Sequence, residues 1–157
     1  MTLKDLNIRY TEYDSLDEMT EVDRSLCLDA IDAISGAYSI YSHFNVGAAV
    51  RLSDGTVVKG ANQENAAYPS GLCAERTAMF AAGARYPELD MESIAIAASQ
   101  NGALCPEPVS PCGACRQVMA QYQTKAGRPM TVILVGAEKV LKFDRVDDLL
   151  PFIFDSV

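Results

Sequence analysis

Cys112 and Cys115 are a pair of residues whose type and spacing can do chemistry. They lie three positions apart at the predicted start of a helix, for which Ser110 would be the N-cap and Pro111 the first helical residue. Both thiols therefore face the same side. Such a pair suits a tetrahedral zinc ion with sulfur ligands at about 2.3 Å. It equally suits a redox pair, and the spacing alone leaves both open.

Cys73 offers a third sulfur near the start of another predicted helix. Three protein ligands leave a fourth position for water, which is typical of catalytic rather than structural zinc. A structural site would need a fourth ligand, from His43, Cys27 or Cys105. We expect Cys27 to be a small buried apolar residue and His43 to have a loop or supporting role. The spacing leaves Cys105 open.

Glu75 stands two residues after Cys73, where a carboxylate can take a proton from zinc-activated water and pass it on. A glutamate in a first helical turn is often explained by the helix dipole alone. Its place beside Cys73 and a later Pro-Cys-x-x-Cys favours a general acid–base role. The non-enzyme alternative, a zinc-stapled or thiol-redox module, gives no reason for this carboxylate.

Alternating helical and strand-like segments must position these residues. Apolar residues at helical spacing predict a helix over Glu21–Ala37. Strand-like runs at Phe44–Leu52 and Val57–Gly60 around an Asp-Gly pair predict a hairpin. This alternation predicts a layered α/β domain. The other predicted elements are helices over 72–84 and 111–123, strands over 94–98, 130–135 and 140–143, and a last helical turn over 146–150.

Length and charge restrict the partners. The chain has 157 residues, of which 49% are hydrophobic, and we expect a polar lead-in over 1–20 and a single catalytic domain over 21–157. A net charge of −8 without a basic patch argues against a nucleic-acid partner. With no apolar signal segment and no long apolar run, we expect no membrane association and a cytoplasmic location.

Four segments together resemble cytidine deaminases in their short, homotetrameric, three-cysteine form. The resemblance extends from about Tyr38 to Phe154 and implies a three-layer α/β/α domain with a mixed, roughly five-stranded sheet. It also implies a homotetramer. The segments are Tyr41-Ser42-His43-Phe44-x-Val46-Gly47-Ala48-Ala49, Gly60-x-Asn62-x-Glu64-Asn65-Ala66, Cys73-Ala74-Glu75-Arg76-Thr77-Ala78 and Ser110-Pro111-Cys112-Gly113-Ala114-Cys115-Arg116-Gln117.

The resemblance implies one Zn²⁺ per subunit, held by Cys73, Cys112 and Cys115, with Glu75 as the residue that moves protons. The implied reaction is hydrolysis of cytidine and deoxycytidine to uridine and deoxyuridine with release of ammonia, in pyrimidine salvage. The alternative substrate is a modified cytosine nucleoside, such as an aminoacyl-nucleoside antibiotic.

The same resemblance implies a set of substrate contacts. Asn62 and Glu64 would bind the ribose 3′-hydroxyl, for which an amide and a carboxylate are suited. Phe44 would pack against the base, and the Ala74 N–H would donate to the base carbonyl. Phe154 would reach a neighbouring subunit's site, with Phe152 as the competing residue for that role.

Arg76 follows Glu75 directly and can donate hydrogen bonds to thiolate sulfur. Three thiolates on Zn²⁺ leave one net negative charge, which weakens the ion's effect on a bound water. We therefore hypothesise that Arg76 restores part of the lost Lewis acidity.

Overall fold

The computed structural model describes residues 1–155, so residues 156 and 157 of the predicted catalytic segment lie outside it. Short 3₁₀ helices occur at Leu16–Glu18, Ile34–Gly36, Tyr68–Ser70 and Val146–Asp148. The helices and strands are β1 (Thr11–Tyr13), α1 (Glu21–Ala33), β2 (Phe44–Leu52), β3 (Val57–Ala61), α2 (Ala74–Arg85), β4 (Met91–Gln100), β5 (Ala103–Leu104), α3 (Gly113–Ala126), β6 (Thr131–Val135) and β7 (Val140–Phe143).

The strands form one mixed sheet in the order β1-β7-β6-β4-β2-β3, with β5 paired to β4. Strands β4 and β6 are parallel, and the other pairs are antiparallel. The sheet has seven strands where roughly five were expected. The additional strands are short: β1 is a three-residue strand on the free edge of β7, and β5 has two residues.

Helices cover both faces of the sheet, which confirms the α/β/α expectation. Neighbouring residues of β4 point in opposite directions because side chains alternate along a strand. Ile94 and Ile96 pack in the larger core with α2 and α3. Ala95 and Ala97 pack in the smaller core with α1. The layer of α2 and α3 contains the three zinc-ligand candidates.

Two glycines let the helices approach the sheet closely. A Cβ at Gly47 would collide with the Ala30 carbonyl of α1. A Cβ at Gly60 would collide with the backbone of α2 at Ala78. The absence of a side chain at these positions therefore sets the distance of both helices from strands β2 and β3.

The predicted starts of the two site helices are shifted. Cys73 is the N-cap of α2, and Cys112 is the N-cap of α3 with φ −67° and ψ 164°. The prediction of Ser110 as N-cap and Pro111 as first helical residue is therefore wrong. Because Cys112 keeps an extended backbone, the chain becomes helical only after it.

The other predicted helical segments also differ at their ends. Helix α1 ends at Ala33 and continues as the 3₁₀ turn to Gly36. The predicted last helical turn is the 3₁₀ helix Val146–Asp148. Within residues 1–155, no helix is both long and apolar enough to cross a membrane.

Candidate active site

The N-termini of α2 and α3 bring three thiols together. The Sγ atoms of Cys73 and Cys112 are 3.9 Å apart, and those of Cys112 and Cys115 are 3.5 Å apart. All three sulfurs lie within 4.8 Å of one another. Tetrahedral zinc with sulfur ligands at about 2.3 Å requires sulfur–sulfur distances of about 3.8 Å. The cluster therefore fits one zinc ion.

Two thiols of the cluster have pKa values that are shifted in opposite directions. Hydrogen bonds from the Cys115 thiol and the Arg76 guanidinium lower the pKa of Cys73 to about 5. The pKa of Cys115 is raised because its thiol proton is held toward Cys73 and because the side chain is buried. Since zinc binds thiolates, ion binding releases the remaining protons.

Arg76 contacts the cluster from the first turn of α2. Its Nη2 lies 3.6 Å from the Sγ of Cys73. The hydrogen bond to Cys73 raises the pKa of Arg76, so the guanidinium stays charged. A fixed positive charge therefore lies beside one ligand sulfur, in the geometry that the hypothesis about Arg76 requires.

Glu75 is the buried acid of the site, with 4% of its surface exposed. Burial raises the pKa of its carboxyl group above the ordinary value of 4.5. The side chain lines the same cleft as Cys73 and Cys112. A buried carboxyl group with a raised pKa, at a cleft beside a cluster of thiols that can hold a metal ion, is suited to accept a proton and return it.

The cleft has a volume of about 720 Å³ and includes most of the predicted site residues. Phe44, Asn62, Glu64, Ala74 and Arg76 line it together with Glu75 and two of the cysteines. Ala74 is the first residue of α2, where helix amides lack intrahelical partners and can donate to a ligand.

Asn62 fixes the strand that forms one wall of the cleft. The Val46 N–H donates to its Oδ1 at 2.8 Å, and its Nδ2 donates to the Phe44 carbonyl at 2.9 Å. The side chain therefore joins the end of β3 to the start of β2 beside Phe44. The second Nδ2 proton and the second Oδ1 lone pair remain for a ligand.

Glu64 is held by the loop before β2. The N–H groups of Tyr41 and Ser42 donate to its Oε2 at 2.8 and 3.3 Å. Hydrogen bonds from the Ser42 hydroxyl and the Tyr41 N–H lower the pKa of Glu64. The carboxylate is therefore ionised and fixed at the cleft.

Four residues considered in the sequence lie outside this arrangement. Cys27 is fully buried beside Met19, whose Sδ is 4.0 Å from its Sγ. Within residues 1–155, neither His43 nor Cys105 belongs to the cluster of three thiols that can hold a metal ion. Phe154 does not line the cleft of its own subunit as far as the structure describes it.

Sequence reasoning missed several residues that line the cleft. The apolar side chains of Leu72, Ile96 and Val109 line it, as does the exposed ring of Tyr68. Leu72 and Val109 lie within three residues of a zinc-ligand candidate, Cys73 or Cys112, which is a signal that could have identified them. Ile96 lies on the central strand β4 and Tyr68 begins a short 3₁₀ helix, and neither has a local sequence signal that marks it as a site residue.

Residues 20–128 match the family described as the cytidine and deoxycytidylate deaminase zinc-binding region. The chain belongs to this family. A cytidine deaminase of Halalkalibacterium halodurans is 50% identical over 103 residues, covering 64% of this chain and 72% of the relative. A cytidine deaminase of Sporosarcina psychrophila is 42% identical over 123 residues, covering 76% of this chain and 82% of the relative.

A solved structure agrees with the sequence match. The cytidine deaminase of Burkholderia pseudomallei aligns with a TM-score of 0.70 at 39% identity, covering 87% of this chain and all of that one. The predictions of a deaminase fold, a hydrolytic deaminase and one zinc ion per subunit are confirmed. Membership of the deaminase family displaces the non-enzyme alternative of a zinc-stapled or redox module.

Proposed function

We propose that the chain deaminates free cytidine and deoxycytidine, with Glu75 as the catalytic acid and base. The observation that carries this proposal is the position of Glu75, a buried carboxyl group that opens onto the cleft beside the three-thiol cluster. In the reaction, water adds to the ring carbon that bears the amino group, and ammonia leaves from the same carbon. The product is uridine or deoxyuridine.

Cys73, Cys112 and Cys115 would hold zinc, which supplies the Lewis acidity that activates water when it is bound. Glu75 accepts the proton of the attacking water on its carboxylate and delivers it to the ring nitrogen beside the reacting carbon. The second proton of that water, on the hydroxyl that has been added to the ring carbon, then passes through Glu75 to the departing amino group as the carbonyl forms. Burial raises the pKa of Glu75, so its carboxylate takes up a proton more readily than an exposed glutamate does, which supports its role as acceptor and then donor.

The remaining contacts orient a neutral nucleoside. The Asn62 amide and the Glu64 carboxylate would bind the ribose 3′-hydroxyl, the Phe44 ring would pack against the base, and the Ala74 N–H would donate to the base carbonyl. The ionised Glu64 would repel a phosphate group near the sugar, so we expect nucleosides to be preferred over nucleotides.

We further propose a homotetramer in the cytoplasm that serves pyrimidine salvage, in which Phe154 reaches the cleft of a neighbouring subunit. The support is that 66% of the Phe154 surface is exposed and that the ring lies away from the cleft of its own chain. Size-exclusion chromatography with light scattering tests the assembly, for which a monomer would contradict the proposal.

A substrate panel tests the choice of nucleoside. Purified zinc-loaded protein is given cytidine, deoxycytidine, cytidine monophosphate and an aminoacylated cytosine nucleoside, and ammonia release is measured. We expect rapid ammonia release from the two plain nucleosides. For the nucleotide we expect a kcat/KM at least about 100-fold lower, because its phosphate group would be repelled by the Glu64 carboxylate. Release from the aminoacylated nucleoside alone would overturn the proposal in favour of the alternative substrate.

A further inference from the structure

The two residues after Cys115 bind the C-terminal segment of the chain. Arg116 donates through Nε to the Pro111 carbonyl at 2.8 Å and through Nη1 to the Leu149 carbonyl at 2.7 Å. Gln117 donates through Nε2 to the Phe154 carbonyl at 2.7 Å. The first two turns of α3 therefore hold both a zinc-ligand candidate and the end of the chain.

The bound segment, residues 149–154, contains no helix or strand; it starts at Leu149, which is buried in the larger core, and becomes exposed towards Phe154. Ile153 packs against the larger core, while the rings on either side of it are turned outward. Phe152 is 96% exposed and has a φ of +58°, and Phe154 is 66% exposed. The segment therefore presents two aromatic rings on a backbone that is fixed at its start and near its end.

Gln117 can fix this backbone without supporting the core. Its side chain is neutral and partly buried, and it donates to the main-chain carbonyl of Phe154. It therefore fixes the position of Phe154 independently of what the ring contacts. Arg116 differs, because its bond to Pro111 also supports the loop that carries Cys112. Gln117 is thus the residue at which the position of the segment can be changed while the thiol cluster stays intact.

We infer that Gln117 is a positioning residue for substrate binding, which it serves by holding Phe154 at a fixed place relative to the cysteine-bearing start of α3. The inference rests on the proposed function, in which Phe154 contacts the nucleoside in a neighbouring cleft. It adds that helix α3 has two positioning roles. It places two of the zinc-ligand candidates, Cys112 and Cys115, in its own subunit, and it places the aromatic ring of Phe154 that enters the neighbouring subunit's cleft.

Steady-state kinetics of Gln117→Ala and Gln117→Glu test this role, since both remove the donor and the second keeps the shape. We expect KM for cytidine to rise about three- to tenfold in each, the loss expected for one neutral hydrogen bond, with kcat changed less than twofold. Zinc should stay at one per chain. The matched control is Gln121→Ala, an exposed glutamine one turn further along α3, which should keep the wild-type KM. An unchanged KM in both Gln117 variants would overturn the inference.

Phe154→Ala, alone and combined with Gln117→Ala, separates positioning from a general structural effect. If Gln117 acts through the ring of Phe154, the double variant has the KM of Phe154→Ala alone. A further rise in the double variant would overturn the inference. An unchanged KM in Phe154→Ala would overturn the proposed role of that ring, and with it the positioning role of Gln117.

Limited digestion with chymotrypsin gives a readout that does not need activity. Cleavage after Phe152 and Phe154 of the zinc-loaded protein, followed by mass spectrometry, should be several-fold faster in Gln117→Ala than in the wild type and in Gln121→Ala. Equal rates would overturn the inference. If the chain deaminates no nucleoside, the proposed function fails, while these rates still decide whether Gln117 holds the segment.

Discussion

The Nη2 atom of Arg76 lies 3.6 Å from the Sγ atom of Cys73, which precedes it by one helical turn at the N-cap of α2. One charged guanidinium therefore contacts a sulfur of the cluster that binds zinc. Three thiolates leave a divalent ion with one net negative charge, and this charge opposes the acidification of water. The N-termini of α2 and α3 add further positive potential at the same place.

Replacing Arg76 by Gln should lower kcat about 10- to 100-fold while zinc remains at one per chain, because the hydrogen bond to Cys73 then lacks its positive charge. Turnover is measured on cytidine and zinc by atomic emission. The matched control is Arg85→Gln, an exposed arginine at the other end of α2, which should retain wild-type turnover. Wild-type turnover in a fully zinc-loaded Arg76→Gln protein would contradict the role assigned to Arg76.

The hydrogen bonds to Glu64 should make its contribution to stability depend on pH. The pKa of the folded carboxyl group is lowered from the ordinary 4.5, so its stabilising effect is complete above pH 4.5 and is lost as the pH falls through the lower folded value. The Tm of the wild type should therefore exceed that of Glu64→Gln at neutral pH, and the gap should close in acid. Glu88→Gln, which changes the same charge at an exposed turn, serves as control. A gap that is independent of pH would contradict this prediction.

Thiol titration should reveal the zinc cluster directly. Burial raises the pKa of Cys27 to about 12, so its thiol should not react in the folded protein. Of the five cysteines, we expect only the half-buried Cys105 to react when zinc is bound, and all five to react after unfolding in a chelator. A Cys112–Cys115 disulfide in protein purified without reductant, with no zinc present, would contradict the prediction.

Gly60→Ala should destabilise the protein by about 1–3 kcal/mol, the usual cost of adding a methyl group to a well-packed interface. A Cβ there would lie 2.9 Å from the Ala74 carbonyl oxygen and 2.8 Å from the Ala78 Cα, both backbone atoms of α2. Gly36→Ala is the control, because its Cβ would meet only the Ala61 Cβ at an ordinary 3.5 Å. Denaturant unfolding of the zinc-loaded proteins gives the comparison. Equal stability of the two variants would contradict the packing described for α2.

The helices and strands that were predicted most closely are those whose sequence signal lies within the element itself or in the turn beside it. The hairpin of β2 and β3 was predicted to within one residue, since an Asp-Gly turn separates two strand-like runs. Strand β7 was predicted at its observed bounds. The turn at Asn101-Gly102, with φ values of 53° and 80°, carries an equally strong hairpin signal that was missed, and β5 was missed with it.

The features that were not predicted depend on distant contacts. Strand β1 is three residues long, and its sequence has too short an alternation to indicate a strand without β7 beside it. The spacing of Cys73, Glu75 and the Cys112–Cys115 pair indicated the chemistry of the site. The bonds from Arg116 and Gln117 to the C-terminal segment join positions 33 and 37 residues apart, which no local pattern can reveal.

Deamination of cytidine by the wild-type protein and by Glu75→Gln, followed as the loss of ultraviolet absorbance, tests the central claim most directly. The wild type should convert cytidine to uridine rapidly. Glu75→Gln, with zinc at one per chain and an unchanged Tm, should be slower by at least about 100-fold, because it cannot carry the proton. A zinc-loaded Glu75→Gln protein that deaminates cytidine at the wild-type rate would contradict the assignment of Glu75 as the catalytic acid and base.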